Sequence, residues 1–364
     1  MEHKSIHQDV GMAQPTVLFY QRRPRPLGNF SLEAIFEDVR TRLANDIKST
    51  TRVSLFYSNG FLRRCLITLD AWWHQKRLTH ITGDIHFAAL LLKRQNCILT
   101  VLDCGDLVGG RGWKQKLRKL VWFDLPVWKA AKITTISEAA KRDIVALTGC
   151  SESKISVIPV AISERFQRIE QSFNAACPRV LQVGCAINKN IERLAVALQG
   201  INCQLSIVGQ PTASQLNALN QANIDFEYFP RLSDEEILEQ YAASDIVAFA
   251  STYEGFGMPI IEAQTIGRVV VTSNCSSMPE VAGTGALLVD PLDVRSIREG
   301  IQRIISDSVL RESLIQNGFE NAKRFDAETI AQQYLNTYTE FSGASHNHVS
   351  AAGPSDTANL RRAA

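Results

Sequence analysis

Short β-rich runs alternate with amphipathic helical stretches along most of this 364-residue chain. That alternation points to parallel sheets covered by helices, an α/β architecture. A first series of strands is expected at 16–20, 53–57, 78–82, 98–102 and 133–136, with an edge strand at 155–160. A second series is expected at 180–183, 205–208, 246–250 and 269–272. The stretch from Ser163 to Pro178 between them is polar and irregular, and divides the chain into two halves of ordinary domain size. The expected division is therefore 1–162, a linker at 163–177, and 178–325, followed by a C-terminal helix within 326–342 and a disordered tail at 343–364. Ser31 and Ser137 are suited to cap the helices that follow them, each with a glutamate in the first turn.

Composition excludes several classes. Charged residues make up 21% and the net charge is +2, which argues against a dedicated nucleic-acid binder. The 8 cysteines show neither a Cys-x-x-Cys pair nor zinc spacing, a pattern of reduced thiols in a cytoplasmic protein. Residues 1–15 lack the apolar core of a signal peptide. No apolar run approaches the roughly 18 to 20 residues that a membrane span requires.

The chemistry concentrates in Tyr253-Glu254-Gly255-Phe256-Gly257-Met258-Pro259-Ile260-Ile261-Glu262. A strand precedes it, and Pro259 opens a helix where its missing N–H does no harm. Gly255 and Gly257 let backbone N–H groups approach a ligand closely, and a loop feeding a helix N-terminus attracts anions and polar oxygens. One carboxylate before the helix and one a turn inside it suit two sets of hydroxyls on one long ligand. This stretch resembles the nucleotide-sugar signature of the retaining glycosyltransferases of family 4, in which seven residues separate two glutamates.

The resemblance implies the GT-B fold, two Rossmann-like domains facing a central cleft. The N-terminal domain would bind the acceptor and the C-terminal one the nucleotide sugar. It further implies that Glu254 binds donor-sugar hydroxyls, helped by backbone groups of Gly255, Phe256, Gly257 and Met258, and that Glu262 grips the ribose. Upstream, Val183-Gly184-Cys185-Ala186-Ile187-Asn188-Lys189-Asn190 joins a strand to a helix. Gly184 permits a tight strand exit, and Lys189 sets a charge near a helix N-terminus, where a diphosphate is well held. Lys189-Asn190 matches the family's usual pair, whereas the arginine that many members carry a few residues earlier is missing. By the same resemblance Arg231 and Leu232 hold the nucleotide base. Glu280, in another family-like stretch beside the donor, is assigned no catalytic part.

In the N-terminal half, two of the 7 histidines fall in His80-Ile81-Thr82-Gly83-Asp84-Ile85-His86. No third ligand makes this a zinc site. Asp84 and His86, at a sheet's carboxyl end, are the candidates for the cleft, with His80 inside the strand. Asp103 follows Leu102, where many family members have a histidine; Asp103 would either orient the acceptor or cap the next loop. Arg22, Arg23 and Arg25 precede Gly28, the residue expected to approach the donor phosphates, and would suit an anionic acceptor.

From 111 to 132, seven basic residues interleave with Trp113, Trp122, Phe123 and Trp128, a composition suited to peripheral membrane contact. The combined expectation is a retaining transferase acting on a glycan or lipid-linked acceptor, at the cytoplasmic face of a membrane. Glu254, Asp103, His86 and Asp84 are its reaction residues, GDP-mannose is its expected donor, and no metal or other cofactor is implied. A sugar-nucleotide epimerase and a non-catalytic nucleotide-sugar-binding scaffold are the alternatives.

Overall fold

The structure is a computed structural model and describes residues 14–24, 31–105 and 112–350, with 31, 32 and 343–350 as backbone only. Two compact units divide the chain. One takes the described residues up to Leu99, Lys129–Ala131 and the chain from Ala331; the other takes Thr100–Trp128 and Lys132–Ile330.

The first sheet comprises β1 (Thr16–Gln21), β2 (Lys48–Val53), β3 (Leu78–Thr82), β4 (Cys97–Thr100), β5 (Lys132–Thr135) and β6 (Ile155–Val157). Its order is β2-β1-β3-β4-β5-β6. The second comprises β7 (Arg179–Val183), β8 (Gln204–Val208), β9 (Asp225–Phe229), β10 (Ile246–Phe249), β11 (Val269–Ser273) and β12 (Leu287–Val289), in the order β12-β11-β10-β7-β8-β9. The resolved pairings are parallel, so every return needs a crossover, which helices supply. In the N-terminal part these are α1 (Ser31–Arg42), α2 (Phe61–His74), α3 (Trp113–Lys119), α4 (Leu125–Lys129) and α5 (Glu138–Thr148). The later ones are α6 (Ile191–Leu198), α7 (Ala213–Gln221), α8 (Asp234–Ala243), α9 (Met258–Ile266), α10 (Met278–Ala282), α11 (Val294–Ser306), α12 (Ser308–Ala322) and α13 (Ala327–Ser350).

Each sheet reverses its winding once. In the first the reversal lies between β1 and β3, in the second between β7 and β10. Loops leaving the carboxyl ends on either side of such a point diverge, and the crevice between them is where ligands of open α/β sheets bind.

Most expected strands agree to within a few residues, but the run at 53–57 is not a strand. The strand is β2, Lys-Ser-Thr-Thr-Arg-Val, exposed along most of its length. As an edge strand open to water it has no need of apolar residues, so hydropathy selected the loop after it, where Leu55 and Phe56 are exposed. β9 and β12 were also not expected; both are edges, one interrupted by Asp225 and Glu227 and one of only three residues. Residues 163–177 lie in the second unit, where Ile169 N–H donates to the Ile266 carbonyl and Asn174 N–H to Asp245. The last helix runs eight residues into the expected tail, and 351–364 lie outside the described residues.

The first unit's core is aromatic. Phe19 of β1, Phe36 of α1, His80 of β3 and Tyr334 and Tyr338 of α13 form one buried cluster. His80 is fully buried with Nδ1 2.9 Å from the Tyr338 hydroxyl, and burial pushes its pKa down to about 3. Unfolded, the ring titrates near about 6.5. Its contribution is thus complete above that pH and is lost as pH falls toward the folded value. Between pH 7 and 4 this one group should cost about 3 kcal/mol of stability. Urea denaturation at the two pH values should show a smaller loss for His80→Gln than for the parent.

Candidate active site

At the reversal of the second sheet, two loops are tied to each other. The β7 loop ends in a short turn at Ile187–Lys189, and Asn190 then adopts a left-handed backbone with φ 63° before α6 begins. The β10 loop carries Tyr253 and Glu254 to the start of α9, where Gly257 has φ 117° and Pro259 lies in the first turn. Thr252 N–H donates to the Asn188 carbonyl at 2.8 Å. Asn188 Nδ2 donates to the Tyr253 carbonyl at 2.9 Å and to Glu254 Oε1 at 3.1 Å. Lys189 Nζ lies 2.7 Å from the same Oε1, and 4.4 Å above the buried ring of Phe249.

The two charged side chains are only 17% and 14% exposed, so water screens them weakly and removing either strands the other. Gly184 makes room for the lysine: its φ is +87°, and a Cβ there would stand 2.9 Å from Lys189 Cε.

Serines hold the glutamate loop. Ser276 Oγ donates to the Glu254 carbonyl at 2.7 Å and accepts from its N–H at 3.2 Å. Ser277 Oγ lies 2.9 and 2.6 Å from the carbonyls of Glu254 and Phe256. Ser137 caps α5, accepting from Ala140 N–H, while its own proton goes to the Gly255 carbonyl at 2.7 Å. Glu280 also serves α5, accepting from the N–H groups of Glu138 and Ala139 at 2.7 and 3.1 Å. A carboxylate on those free amides complements the helix dipole.

The loop after β4 meets the same stretch. A Cβ on Gly255 would fall 2.9 Å from Asp103 Cβ and 3.1 Å from the Leu102 carbonyl oxygen. Asp103 Oδ1 accepts from Gly105 N–H at 2.9 Å, which is the loop-capping role, and the residue remains exposed. The Tyr253 hydroxyl donates to Asp143 and accepts from Cys104 N–H. Burial pushes the Cys104 thiol up to about 12, so it is protonated at neutral pH.

The remaining residues expected at the donor divide. Glu262 accepts from the Tyr241 hydroxyl at 2.5 Å, and desolvation raises its carboxyl pKa. Phe256 is buried edge-on against Phe325, and Met258 is half-buried. Arg231 is exposed and Leu232 half-buried in the loop between β9 and α8. Asn190 differs from expectation. Its side chain is buried, donates to the carbonyls of Ala250 and Pro291 at 2.9 and 2.7 Å, and accepts from Arg193. Its contribution to the site is to fix the strand-to-helix turn.

In the first unit, Asp84 lies 3.3 Å from the buried Arg22, which also bonds Glu33 at 2.7 Å. Arg22 thus has carboxylate partners within the protein, contrary to the exposed role expected for an anionic acceptor. Arg23 donates to the Leu55 carbonyl and covers the Tyr57 ring. His86 is buried at the start of a short turn, His86–Leu91. Gly28 and Arg25 lie outside the described residues. Sequence reasoning gave no part to Asn188, Tyr253 or Asp143. Asn188 was discoverable as the immediate neighbour of Lys189; the other two depend on long-range contacts.

Residues 164–321, which contain the whole second sheet, match the family described as Glycosyl transferases group 1. This segment is similar to the group 1 glycosyltransferases. Over 111 residues the chain is 40% identical to O-antigen chain mannosyltransferase B of Escherichia coli, covering 30% of this chain and 29% of that protein. Over 276 residues it is 24% identical to the serotype-specific mannosyltransferase WbdA of Escherichia coli, covering 66% of this chain and 33% of that protein. The matched region thus spans about a third of the length of these relatives. Sucrose-phosphate synthase from Thermosynechococcus elongatus superimposes with a TM-score of 0.71 at 18% identity, covering 91% of this chain and 100% of that one. The two-sheet α/β architecture is accordingly the GT-B fold.

Two substitutions test how the second unit builds this site. Gly184→Ala should cost about 1–2 kcal/mol for the left-handed backbone and displace Lys189, read as a lower melting temperature. Ser277→Ala should cost about 1–2 kcal/mol by taking the 2.6 Å donor from the Phe256 carbonyl, measured as a shift in the urea midpoint.

Proposed function

We propose that this chain is a retaining glycosyltransferase that moves mannose from GDP-mannose to a hydroxyl of a glycan or lipid-linked acceptor in surface polysaccharide or O-antigen assembly. The observation that carries the reading is the Lys189–Glu254 pair at the reversal of the second sheet. A diphosphate there meets Lys189 and the amides at the start of α6, while sugar hydroxyls meet Glu254 and the clamped backbone of 255–257. The diphosphate supplies a counter-charge to Lys189 and the hydroxyls supply hydrogen-bond donors to Glu254, so neither group is left without a partner. Glu262 sits at the ribose and Arg231 with Leu232 at the base. The mannose assignment is supported by the two mannosyltransferase relatives.

In this mechanism the acceptor hydroxyl attacks from the face the diphosphate leaves, and the departing phosphate oxygen takes the hydroxyl proton. The carbonyl of Leu102 lies beside Gly255, in position to favour positive charge developing on the sugar. Asp103, which also caps its own loop, orients the acceptor, and Asp84 and His86 serve the acceptor half. Lys189 meets the diphosphate charge without a metal. We place the chain in the cytoplasm, in peripheral contact with a membrane through 112–129, where Trp113, Leu117 and Trp128 are exposed among lysines and arginines. No described helix is long and apolar enough to cross a membrane.

A ligand at about 100 times its Kd adds roughly 2.7 kcal/mol to the stability of the state that binds it. GDP and GDP-mannose should therefore raise the melting temperature clearly, and UDP should not. A response to UDP alone would replace the mannose assignment. Glu254→Ala and Lys189→Ala, each shown to be folded, should lower transfer by at least about 100-fold, the scale of one transition-state contact. Transfer at the parent rate by both variants would refute the site.

A further inference from the structure

α2 meets the first unit through Ile67, Thr68, Asp70 and Ala71, all buried. Its opposite face is apolar as well. Leu62, Leu66, Leu69 and Trp73 recur at helical spacing along one stripe, and they are 76%, 46%, 48% and 76% exposed. Phe61 and Trp72 flank the stripe and are also exposed. A helix that only covers a domain would present polar side chains here.

The charge around this face has one sign. Between residues 55 and 99 stand Arg63, Arg64, Lys76, Arg77, Lys93 and Arg94 against two acids, Asp70 and Asp84. Both acids already face arginines, Asp70 with Arg52 at 2.6 Å and Asp84 with Arg22 at 3.3 Å. Where α2 ends, a cavity of about 570 Å³ is lined by Trp72, Trp73, Lys76, Arg77 and Lys93, with amide side chains completing it and no carboxylate.

We infer that this face docks on an anionic phospholipid bilayer, with the leucine stripe at the acyl boundary and the three cations of the cavity over lipid phosphates. Tryptophans at the level between them fit the wet and dry sides of such a boundary. A second copy of this chain fits poorly, because a two-fold pairing of the stripes would bring the two sets of arginines and lysines together. A free phosphate would satisfy the cations and leave the leucines in water. The surface belongs to the first unit and involves none of the residues assigned to the donor site or to 112–129, so it stands independently of the proposed reaction.

The test is co-sedimentation of the full chain with phosphatidylcholine vesicles prepared with and without phosphatidylglycerol. Binding should require phosphatidylglycerol and weaken as salt rises. The triple variants Leu62→Ser/Leu69→Ser/Trp73→Ser and Lys76→Ala/Arg77→Ala/Lys93→Ala should each bind at least about tenfold more weakly, with unchanged melting temperature and unchanged stabilisation by nucleotide. The same losses in a Trp113→Ala/Trp128→Ala background separate this surface from 112–129. Variants that bind like the parent would overturn the inference. So would a lipid-free dimer that the stripe variant converts to monomer, which would make a second copy the occupant. Displacement by inorganic phosphate beyond that of chloride at equal ionic strength would reduce the cavity to a phosphate site and overturn the bilayer assignment.

Discussion

The ladder between β7 and β10 organises the second sheet, because there the winding reverses and two neighbouring strands send their loops apart. Parallel strands place all their carboxyl ends on one side, so the loops bearing Lys189 and Glu254 must emerge together. The crevice is narrow enough that a Cβ at 184 would press on Lys189 and one at 255 on Asp103, each at 2.9 Å. The ion pair is a product of that crowding: a lysine laid over an aromatic ring and a glutamate held by its own backbone have few other places to go.

Much of this was legible in the sequence because the relevant signals are local. A buried strand such as β10, Ile-Val-Ala-Phe, is a continuous apolar run, and the Gly-Phe-Gly-Met-Pro segment states its own turn and helix start. Ser137 announced itself as a cap, yet its hydroxyl proton serves the Gly255 carbonyl 118 residues away. No pattern within a turn of Ser137 encodes that second bond. Asn190 misled for a related reason, since it sits in a functional motif while its amide does structural work on carbonyls at 250 and 291. The strand at 48–53 was missed because hydropathy detects burial, and an edge has little.

Charge is handled differently in the two units. In the second, the decisive charges are few, opposite and nearly dry, which suits a ligand carrying both phosphate and hydroxyl groups. In the first, the buried charges of Arg22 and Asp70 are neutralised internally, and the excess of one sign is left at the surface of 55–99, where an extended partner of opposite charge can meet it. The modest net charge of +2 conceals this separation.

β2 has a consequence of its own. An outermost strand offers a row of open amide and carbonyl groups to any other extended chain, and flat apolar edges invite such addition. Lys48 and Arg52 flank Ser49, Thr50 and Thr51 along this edge. An incoming strand would have to desolvate the exposed Lys48 and disturb the Arg52–Asp70 pair to add itself there. The residues that hid the strand from hydropathy also discourage fibril growth, so β2 can end the sheet during synthesis and crowding without a covering helix.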